Sequence, residues 1–302
     1  MFYLLQGIFS PAITVFNDKG KLDYDGNERV IGRLIDNGIN GILSLGSIGE
    51  FCHLTMAEKK EFISFVVQTV KGRVPVLIGT GGTMLEEVLE LTRYAHQAGA
   101  DYSMVISPYY FKLDEESLFH YYAAVAAAAD LPMLIYNFPD RTCVDLSPEL
   151  VLRLAKAFPN IVGIKDTVDN ISHTRKLIRT VKSAIPDFAV FSGYDEYLIP
   201  NLMAGGAGVI CGLTNLAPQL FTELLGAFRQ NDLKTVGQLQ GRINGLMELY
   251  EVSQPFVNAI KGAAACLIPD ISYQSRMPVS GLSQEQMTRI KQILTAAGIN
   301  IV

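Results

Sequence analysis

The chain has no tryptophan and few features suited to nucleic acid, a membrane or a metal ion. Its Lys and Arg residues number 25 against 30 Asp and Glu, for a formal net charge of −5, and they form no basic run. It therefore lacks the electrostatic footprint of a protein that binds nucleic acid or an anionic membrane. No apolar run is long enough to span a bilayer. Residues 1–7 carry no basic residue and too short an apolar run for a signal peptide, so we expect a cytoplasmic protein that acts on small molecules.

Cysteine and histidine are scarce, with four residues of each. The cysteines are Cys52, Cys143, Cys211 and Cys266. They are far apart and form no CxxC pair, so we expect free thiols rather than a zinc knuckle or a redox motif. The histidines show no HxxxH or similar spacing, and we predict no metal site.

Apolar runs rich in β-branched residues alternate with longer segments of helical period. This alternation is typical of βα units around a parallel sheet. Their near-continuous hydrophobicity favours strands covered on both faces. The eight runs are residues 8–16, 41–45, 74–79, 102–106, 133–136, 161–165, 188–192 and 208–211. With 302 residues, 49% of them hydrophobic, the chain can bury a large core.

Helix signals fall between these runs. Capping-box patterns occupy residues 55–58 and 83–86, and a Ser-Pro pair at 147–148 is a third helix start. Glycines that end helices shortly before the next run are Gly38, Gly72 and Gly99. The pattern predicts an α/β fold, a (β/α)8 TIM barrel. A doubly wound open sheet is the alternative, but a GxGxxG motif after the first strand is absent.

Beyond the eighth run the pattern is helical over residues 218–267 and again over 284–297. We therefore predict a barrel with the active site in residues 1–225 and a C-terminal helical extension in residues 226–302. The extension either covers the barrel flank or pairs subunits, and the pattern favours neither use.

Working residues of such barrels lie at the C-terminal ends of the strands, and the sixth run ends at Lys165. Alternation places Ile161, Gly163 and Lys165 on one face, and Val162 with Ile164 on the other. If the branched pair faces the helices, Lys165 points inward. An ammonium group among apolar walls is poorly solvated, which favours the neutral amine that attacks a carbonyl. The alternative is a lysine that extends to solvent.

The fifth run ends near Tyr136, on the same strand face as Leu134. A phenol at the barrel mouth can relay a proton, although a packing role explains a tyrosine equally well. Arg141 in the following loop is either a carboxylate clamp or a solvated surface residue.

Glycine-rich turns follow two other runs. The backbone N–H groups of residues 46–50 could converge on a carboxylate, with Ser47 as the hydroxyl of the turn. A simple structural turn fits the same residues. Residues 79–82 lack the ending of a phosphate-binding loop and favour an ordinary βα loop. Tyr109 and Tyr110 line either a pocket or an interface, or pack in the core.

Together these motifs resemble the dihydrodipicolinate synthase and N-acetylneuraminate lyase family of pyruvate-dependent class I aldolases, over essentially the whole chain. The resemblance rests on the order and spacing of residues 46–50, 107–110, 136–139, 163–167 and 192–195. It implies a barrel with a C-terminal helical extension, commonly assembled as a homotetramer.

The resemblance also implies roles for individual residues. Lys165 would form the Schiff base, and Tyr136 would be the acid/base phenol. Ser47 would help to hold the carboxylate of the keto acid, while Tyr110 would approach the site, in many members from a neighbouring subunit. The substrate-binding positions implied are Gly46, Ile48, Arg141, Gly193 and Ile210. Because the protonated imine supplies the electrophile, neither a metal nor an organic cofactor would be needed.

Two residues point to different substrates within the family. Synthases that condense pyruvate with aspartate semialdehyde generally carry a second hydroxyl residue where this chain has Ile48, which cannot pass a proton. Arg141 matches the arginine with which those synthases bind the semialdehyde carboxylate. The local sequences at residues 107–112, 163–169, 193–195 and 254–258 resemble those of 2-keto-3-deoxy-gluconate aldolases. We rank such an aldolase first, the synthase second, N-acetylneuraminate lyase third and a non-catalytic keto-acid binder last.

Overall fold

The strands form a closed barrel in which β1 to β8 are neighbours in chain order. The structure is a computed structural model that describes residues 5–301. The strands are Gly7–Pro11, Gly41–Ser44, Val76–Gly79, Tyr102–Ile106, Met133–Asn137, Ile161–Asp166, Ala189–Ser192 and Gly208–Ile210. All eight predicted runs are strands and the predicted TIM barrel is confirmed, while the open-sheet alternative is wrong.

The first run is only partly extended sheet, because β1 ends at Pro11 rather than at residue 16. Beyond it, the Ile13 amide donates to Asn215 Oδ1 at 3.0 Å and the Val15 amide to Asn27 Oδ1 at 3.0 Å. Asparagine side chains thus replace the next strand as hydrogen-bond partners of these amides.

Eight helices accompany the strands and four more follow β8. The first eight, α1 to α8, are Tyr24–Asp36, Met56–Val70, Leu85–Gln97, Glu115–Ala126, Pro139–Thr142, Pro148–Ala157, Ile171–Lys182 and Leu198–Met203. The last four, α9 to α12, are Pro218–Arg229, Leu233–Leu246, Val257–Ala265 and Gln284–Ala296. The predicted C-terminal helices are therefore present. Within residues 5–301 none of the helices is long and apolar enough to cross a membrane.

The chain divides into two compact units. One contains Leu54–Ile210 together with residues 5–7, and the other contains Ile8–His53 together with residues 211–301. The boundary between residues 225 and 226 that the sequence suggests stays a prediction.

Two of the three predicted helix starts are confirmed. The Thr55 side chain accepts from the Glu58 amide in a complete capping box, and the Ser147 side chain accepts from the Leu150 amide. The capping box predicted at residues 83–86 is wrong. Helix α3 is capped by Met84 without a side-chain bond, so Glu86 is its second residue and not the third that a capping box requires.

The predicted helix-ending glycines adopt the left-handed backbone that favours this residue. Their φ angles are 79° at Gly38, 69° at Gly72 and 90° at Gly99. Each follows a helix and turns the chain toward the next strand, as predicted.

Candidate active site

Lys165 and Tyr136 lie side by side near the ends of two adjacent strands. They are register partners in the β5–β6 pair, and Lys165 Nζ lies 4.3 Å from the centre of the Tyr136 ring. Lys165 is 6% exposed and Tyr136 is 3% exposed. Lys165 therefore does not extend into solvent, and an amine and a phenol share one buried position.

The direction of Lys165 follows from its strand neighbours. Ile164 and Ile135 pack in the apolar cluster between strands and helices, so the residues that alternate with them face the barrel interior. The predicted alternation fails for Ile161, which packs in the same helix-facing cluster. A register shift explains this, because Met133 pairs with Ile161 and Leu134 pairs with Gly163. Val162 is the extra residue of a β-bulge, which resets the alternation before Lys165.

Behind Lys165, a buried carboxylate fastens the ends of β5 and β6. Asp166 accepts hydrogen bonds from Asn137 Nδ2 at 3.0 Å and from Thr174 Oγ1 at 2.8 Å. His173 Nδ1 lies 3.0 Å from Asp166 Oδ2, and its Nε2 lies 3.3 Å from Asp145 Oδ1. No motif in the sequence indicates this network, which holds the strand segments that carry Lys165 and Tyr136.

The imidazole of His173 should make stability depend on pH. The hydrogen bond to Asp166 raises the pKa of His173, with the charge of Asp145 adding to it while burial opposes it. The stabilisation is complete below the ordinary histidine pKa and is lost as pH rises through the raised value. We expect His173→Gln to lower the free energy of unfolding at pH 5.5 by up to about 1 kcal/mol, allowing for solvent screening. The deficit should shrink by pH 8.5.

Urea unfolding of the wild type and of His173→Gln, at pH values from about 5.5 to about 8.5, measures the effect. His120→Gln is the matched control, since that imidazole is exposed and makes no hydrogen bond to a described residue. A His173→Gln deficit that grows with pH would contradict the expected sign.

Thr167 adds a polar atom to this end of β6. Its Oγ1 is buried and has no hydrogen-bond partner among residues 5–301. A buried hydroxyl without a hydrogen-bond partner costs roughly 1–3 kcal/mol. A bound molecule that forms a hydrogen bond with this hydroxyl would offset that cost. Gly193 leaves room for it, because a Cβ at Gly193 would lie 1.9 Å from Thr167 Oγ1. No pattern in the sequence marks a threonine as unpaired, so the sequence alone does not indicate a role for Thr167.

The structure connects Arg141 to the same site. Arg141 is exposed on the short helix α5, with its guanidinium carbon 5.5 Å from the centre of the Phe138 ring. Phe138 in turn stacks on Tyr136 at 5.7 Å between ring centres. Arg141 is therefore linked by ring contacts to the Lys165 position.

Tyr110 and Ile210 have opposite environments. Tyr110 is 86% exposed, at a φ of 90°, and its ring meets Phe111 edge-on at 5.0 Å between centres. Tyr110 therefore does not pack in the core of the chain. Ile210 is fully buried at the end of β8.

The turn at residues 46–50 belongs to the other compact unit. Leu45, just before the turn, and Glu50, its last residue, have φ angles of 57° and 52°, which are strained for residues other than glycine. Thr14 Oγ1 donates to Gly49 O at 2.7 Å and fixes the turn from one side. The amide N–H groups of Ile48 and Gly49 donate to no residue of the described chain, and both residues are buried. Such N–H groups are suited to an anion.

Side chains of the turn differ in character. Ser47 is half-buried, while Ile48 is buried. A Cβ at Gly212 would lie 2.3 Å from Ile48 Cδ1, so that glycine makes space for the isoleucine. The apolar side chain of Ile48 occupies a specific place in the fold but offers no proton. In residues 5–301 no group of three or more His, Cys, Asp or Glu side chains could hold a metal ion.

Comparison with known proteins gives matches along the whole chain. A family profile described as the dihydrodipicolinate synthetase family matches residues 4–297. Two proteins of Escherichia coli strain K12 are 42% and 39% identical, covering 96% and 97% of this chain and 96% and 98% of their own lengths. Their names provisionally assign YagE as a 2-dehydro-3-deoxy-D-gluconate aldolase and YjhH as a 2-dehydro-3-deoxy-D-pentonate aldolase. A 4-hydroxy-tetrahydrodipicolinate synthase of Nitratidesulfovibrio vulgaris is 36% identical over 97% of the chain and 99% of its own length.

A solved structure agrees with these relatives. The crystal structure of E. coli YagE in complex with pyruvate superposes with a TM-score of 0.96 at 41% identity, over 99% of this chain and 100% of that one. The predicted enzyme class, a carbon–carbon lyase, is confirmed by these matches. The chain belongs to the dihydrodipicolinate synthetase family.

Proposed function

We propose that this enzyme is a class I aldolase that forms a Schiff base at Lys165 and cleaves 2-keto-3-deoxy-gluconate, or a similar sugar acid, to pyruvate and an aldehyde. One observation carries the proposal. A buried lysine lies 4.3 Å from the ring of a buried tyrosine at the ends of adjacent barrel strands. Strand ends at this face of a parallel barrel are where catalytic groups of such folds occur.

Lys165 acts first, as the nucleophile. Its neutral amine adds to the keto carbon of the substrate, and water leaves as the protonated imine forms. The electrons of the bond between the third and fourth carbons then move toward the imine. This cleavage yields an enamine and an aldehyde. A proton added to the enamine carbon and a water molecule added to the imine release pyruvate and restore Lys165.

Tyr136 handles the proton of the reaction. As the phenolate, it accepts the proton of the hydroxyl on the fourth carbon when the carbon–carbon bond breaks. The phenol that results gives this proton to the enamine carbon, or back to the new hydroxyl oxygen in the condensation direction. Thr167 supports this step, because its buried unpaired hydroxyl is suited to hydrogen bond a substrate hydroxyl. Gly193 packs closely on Thr167, because a Cβ at residue 193 would lie 1.9 Å from the Thr167 Oγ1.

We further propose that the turn at residues 46–50 holds the carboxylate of the keto acid. The carboxylate would accept hydrogen bonds from the N–H groups of Ile48 and Gly49 and from the hydroxyl of Ser47. Gly46 would allow the backbone of the turn to come close to it. The turn follows β2 and Ile210 ends β8, and binding residues of parallel barrels commonly occupy such positions after the strands. We propose Ile210 as a wall of the pyruvate pocket.

The choice of a sugar acid rests on Ile48 and on the relatives. Isoleucine cannot replace a hydroxyl in a proton relay, and the relatives at 42% and 39% identity carry names of sugar-acid aldolases. Condensation of pyruvate with aspartate semialdehyde is the second candidate. Arg141 favours it, because its guanidinium fork, 5.5 Å from the Phe138 ring, could bind the semialdehyde carboxylate.

Borohydride trapping tests the Schiff base. The protein is incubated with pyruvate and borohydride, and its intact mass is then measured. We expect a gain of one reduced pyruvate per chain, located at Lys165 by peptide mapping. An unmodified protein, or a modification at another lysine, would refute the proposal.

A comparison of rates tests the substrate. We expect kcat/KM for cleavage of 2-keto-3-deoxy-gluconate to exceed that for condensation of pyruvate with aspartate semialdehyde by at least about 100-fold, because the relay hydroxyl is missing. Release of pyruvate measures the first reaction, and loss of the semialdehyde the second. A faster condensation would make the enzyme a synthase.

The proposed reaction needs no metal and no organic cofactor, because the imine is the electron sink. We propose a cytoplasmic homotetramer that acts on small keto acids and aldehydes, and not on nucleic acid or membranes. The exposed pair Tyr110 and Phe111 is consistent with a subunit contact through which Tyr110 reaches the site of a neighbour.

A further inference from the structure

A second lysine of the chain is fully buried, but it is engaged in an ion pair. Lys261 lies in helix α11, and its Nζ is 2.6 Å from Glu50 Oε1 and 2.6 Å from the carbonyl oxygen of Gln274. The same ammonium lies 4.7 Å from the centre of the Phe16 ring. Burial lowers the pKa of Lys261 and the Glu50 carboxylate opposes that effect. The ammonium of Lys261 is thus paired with a carboxylate, a carbonyl oxygen and an aromatic ring of the chain itself.

Glu50 is the last residue of the turn at residues 46–50. Its backbone is in the left-handed region, and its amide donates to Ser47 O at 3.2 Å. Its second carboxylate oxygen lies 3.0 Å from His53 Nδ1. The side chain of Glu50 is therefore held at both oxygens, while its backbone bonds directly to the residue that carries the hydroxyl of the turn.

A neighbouring arginine holds the same loop. Arg276 donates to His53 O at 2.9 Å and to Gly20 O at 2.7 Å, and its guanidinium stacks on Phe16 at 4.6 Å. Helix α11 thus contributes a cation to the last residue of the turn, and the segment after the helix contributes a second cation to His53, three residues beyond it.

We propose that Lys261 is a positioning residue that acts through Glu50 to keep the turn at residues 46–50 in the shape that binds the carboxylate of the keto acid. This inference rests on the proposed function, in which that turn is the carboxylate site. Lys261 does not touch the substrate. Its part is to hold a strained left-handed residue and to balance a negative charge that would otherwise repel the substrate carboxylate.

Stability alone does not account for this pair. Replacing a buried ion pair by apolar residues of similar volume is often neutral or stabilising. A pair of directed bonds, in contrast, fixes the orientation of Glu50, which an apolar contact would leave less defined. The strained φ angles of Leu45 and Glu50 require such an external support.

The test measures pyruvate binding by the full-length enzyme. The pyruvate concentration that gives half of the maximal borohydride adduct is determined for wild type, Lys261→Met and the double variant Glu50→Gln with Lys261→Met. The double variant removes both charges and keeps the side-chain volumes, so it should fold even if the single variant does not. Circular dichroism and urea unfolding monitor folding.

We expect the half-saturating concentration to rise about tenfold or more in Lys261→Met and about fivefold in the double variant, with maximal adduct within about threefold of wild type. A loss of ground-state binding changes affinity and not the chemistry at Lys165. Arg289→Met is the matched control, because Arg289 pairs with Glu248 on the exposed surface of the same extension. Its half-saturating concentration should stay at the wild-type value.

The outcomes separate the two proposals. A folded double variant with wild-type half-saturation overturns the role of Lys261, even while wild type still forms the adduct. A wild-type enzyme that forms no adduct at any pyruvate concentration overturns the proposed function, and this inference with it.

Discussion

Lys165→Ala should form no pyruvate adduct and should lose aldol cleavage by about 10,000-fold or more, as expected when the covalent nucleophile of an enzyme is removed. The methyl group of alanine cannot add to a keto carbon. The other groups proposed for the site, among them Tyr136 and Thr167, would remain, so substrate binding should largely persist. Intact mass after borohydride and pyruvate release over time measure both quantities.

The variant should still fold. Lys165 contacts the Tyr136 ring but lies apart from the hydrogen bonds of Asp166, which fasten β5 to β6 on the other face. Lys156→Ala is the matched control, because Lys156 is an exposed lysine in helix α6. We expect a wild-type adduct and wild-type turnover from it. An equal adduct on Lys165→Ala would show that another amine is the nucleophile.

The barrel could be predicted from the sequence because its signals are local. Buried parallel strands are continuous apolar runs, and serine or threonine caps mark helix starts within a few residues. Lys165 and Tyr136 are proposed as site residues on the same kind of local signal, as polar residues that close two such runs. Even here local patterns failed where geometry shifts by one residue. The bulge at Val162 moved Ile161 to the helix-facing side, and helix α3 began one residue too late for its predicted capping box.

The supporting contacts of the site could not be predicted, because they join residues that are distant in sequence. Glu50 and Lys261 meet across 211 positions, and no periodicity relates them. A lone lysine in the alanine-rich helix α11 was the available signal, but its partner depends on tertiary packing. The same holds for Thr167, whose unpaired hydroxyl is visible only when all neighbouring donors and acceptors are known.

Tyr136→Phe should separate imine formation from carbon–carbon cleavage. We expect the borohydride adduct with pyruvate to form to the same extent, while kcat for cleavage falls by about 100-fold to 10,000-fold. Pyruvate has no hydroxyl on a fourth carbon, so trapping it does not need the proposed proton acceptor. Cleavage of the sugar acid does, because the departing aldehyde forms only when that hydroxyl loses its proton.

Phenylalanine keeps the ring that stacks on Phe138 and contacts Lys165, so the substitution removes one oxygen and little packing. Tyr122→Phe is the matched control, since that fully buried tyrosine bonds Ser107 at 3.0 Å. Losing that bond should reduce the free energy of unfolding by about 1 kcal/mol but leave kcat unchanged. If Tyr136→Phe cleaved the sugar acid at the wild-type rate, the proton would have to leave through another group. The buried hydroxyl of Thr167 would then be the first to test, because Thr167 lies two residues beyond Lys165 and its Oγ1 has no hydrogen-bond partner among residues 5–301.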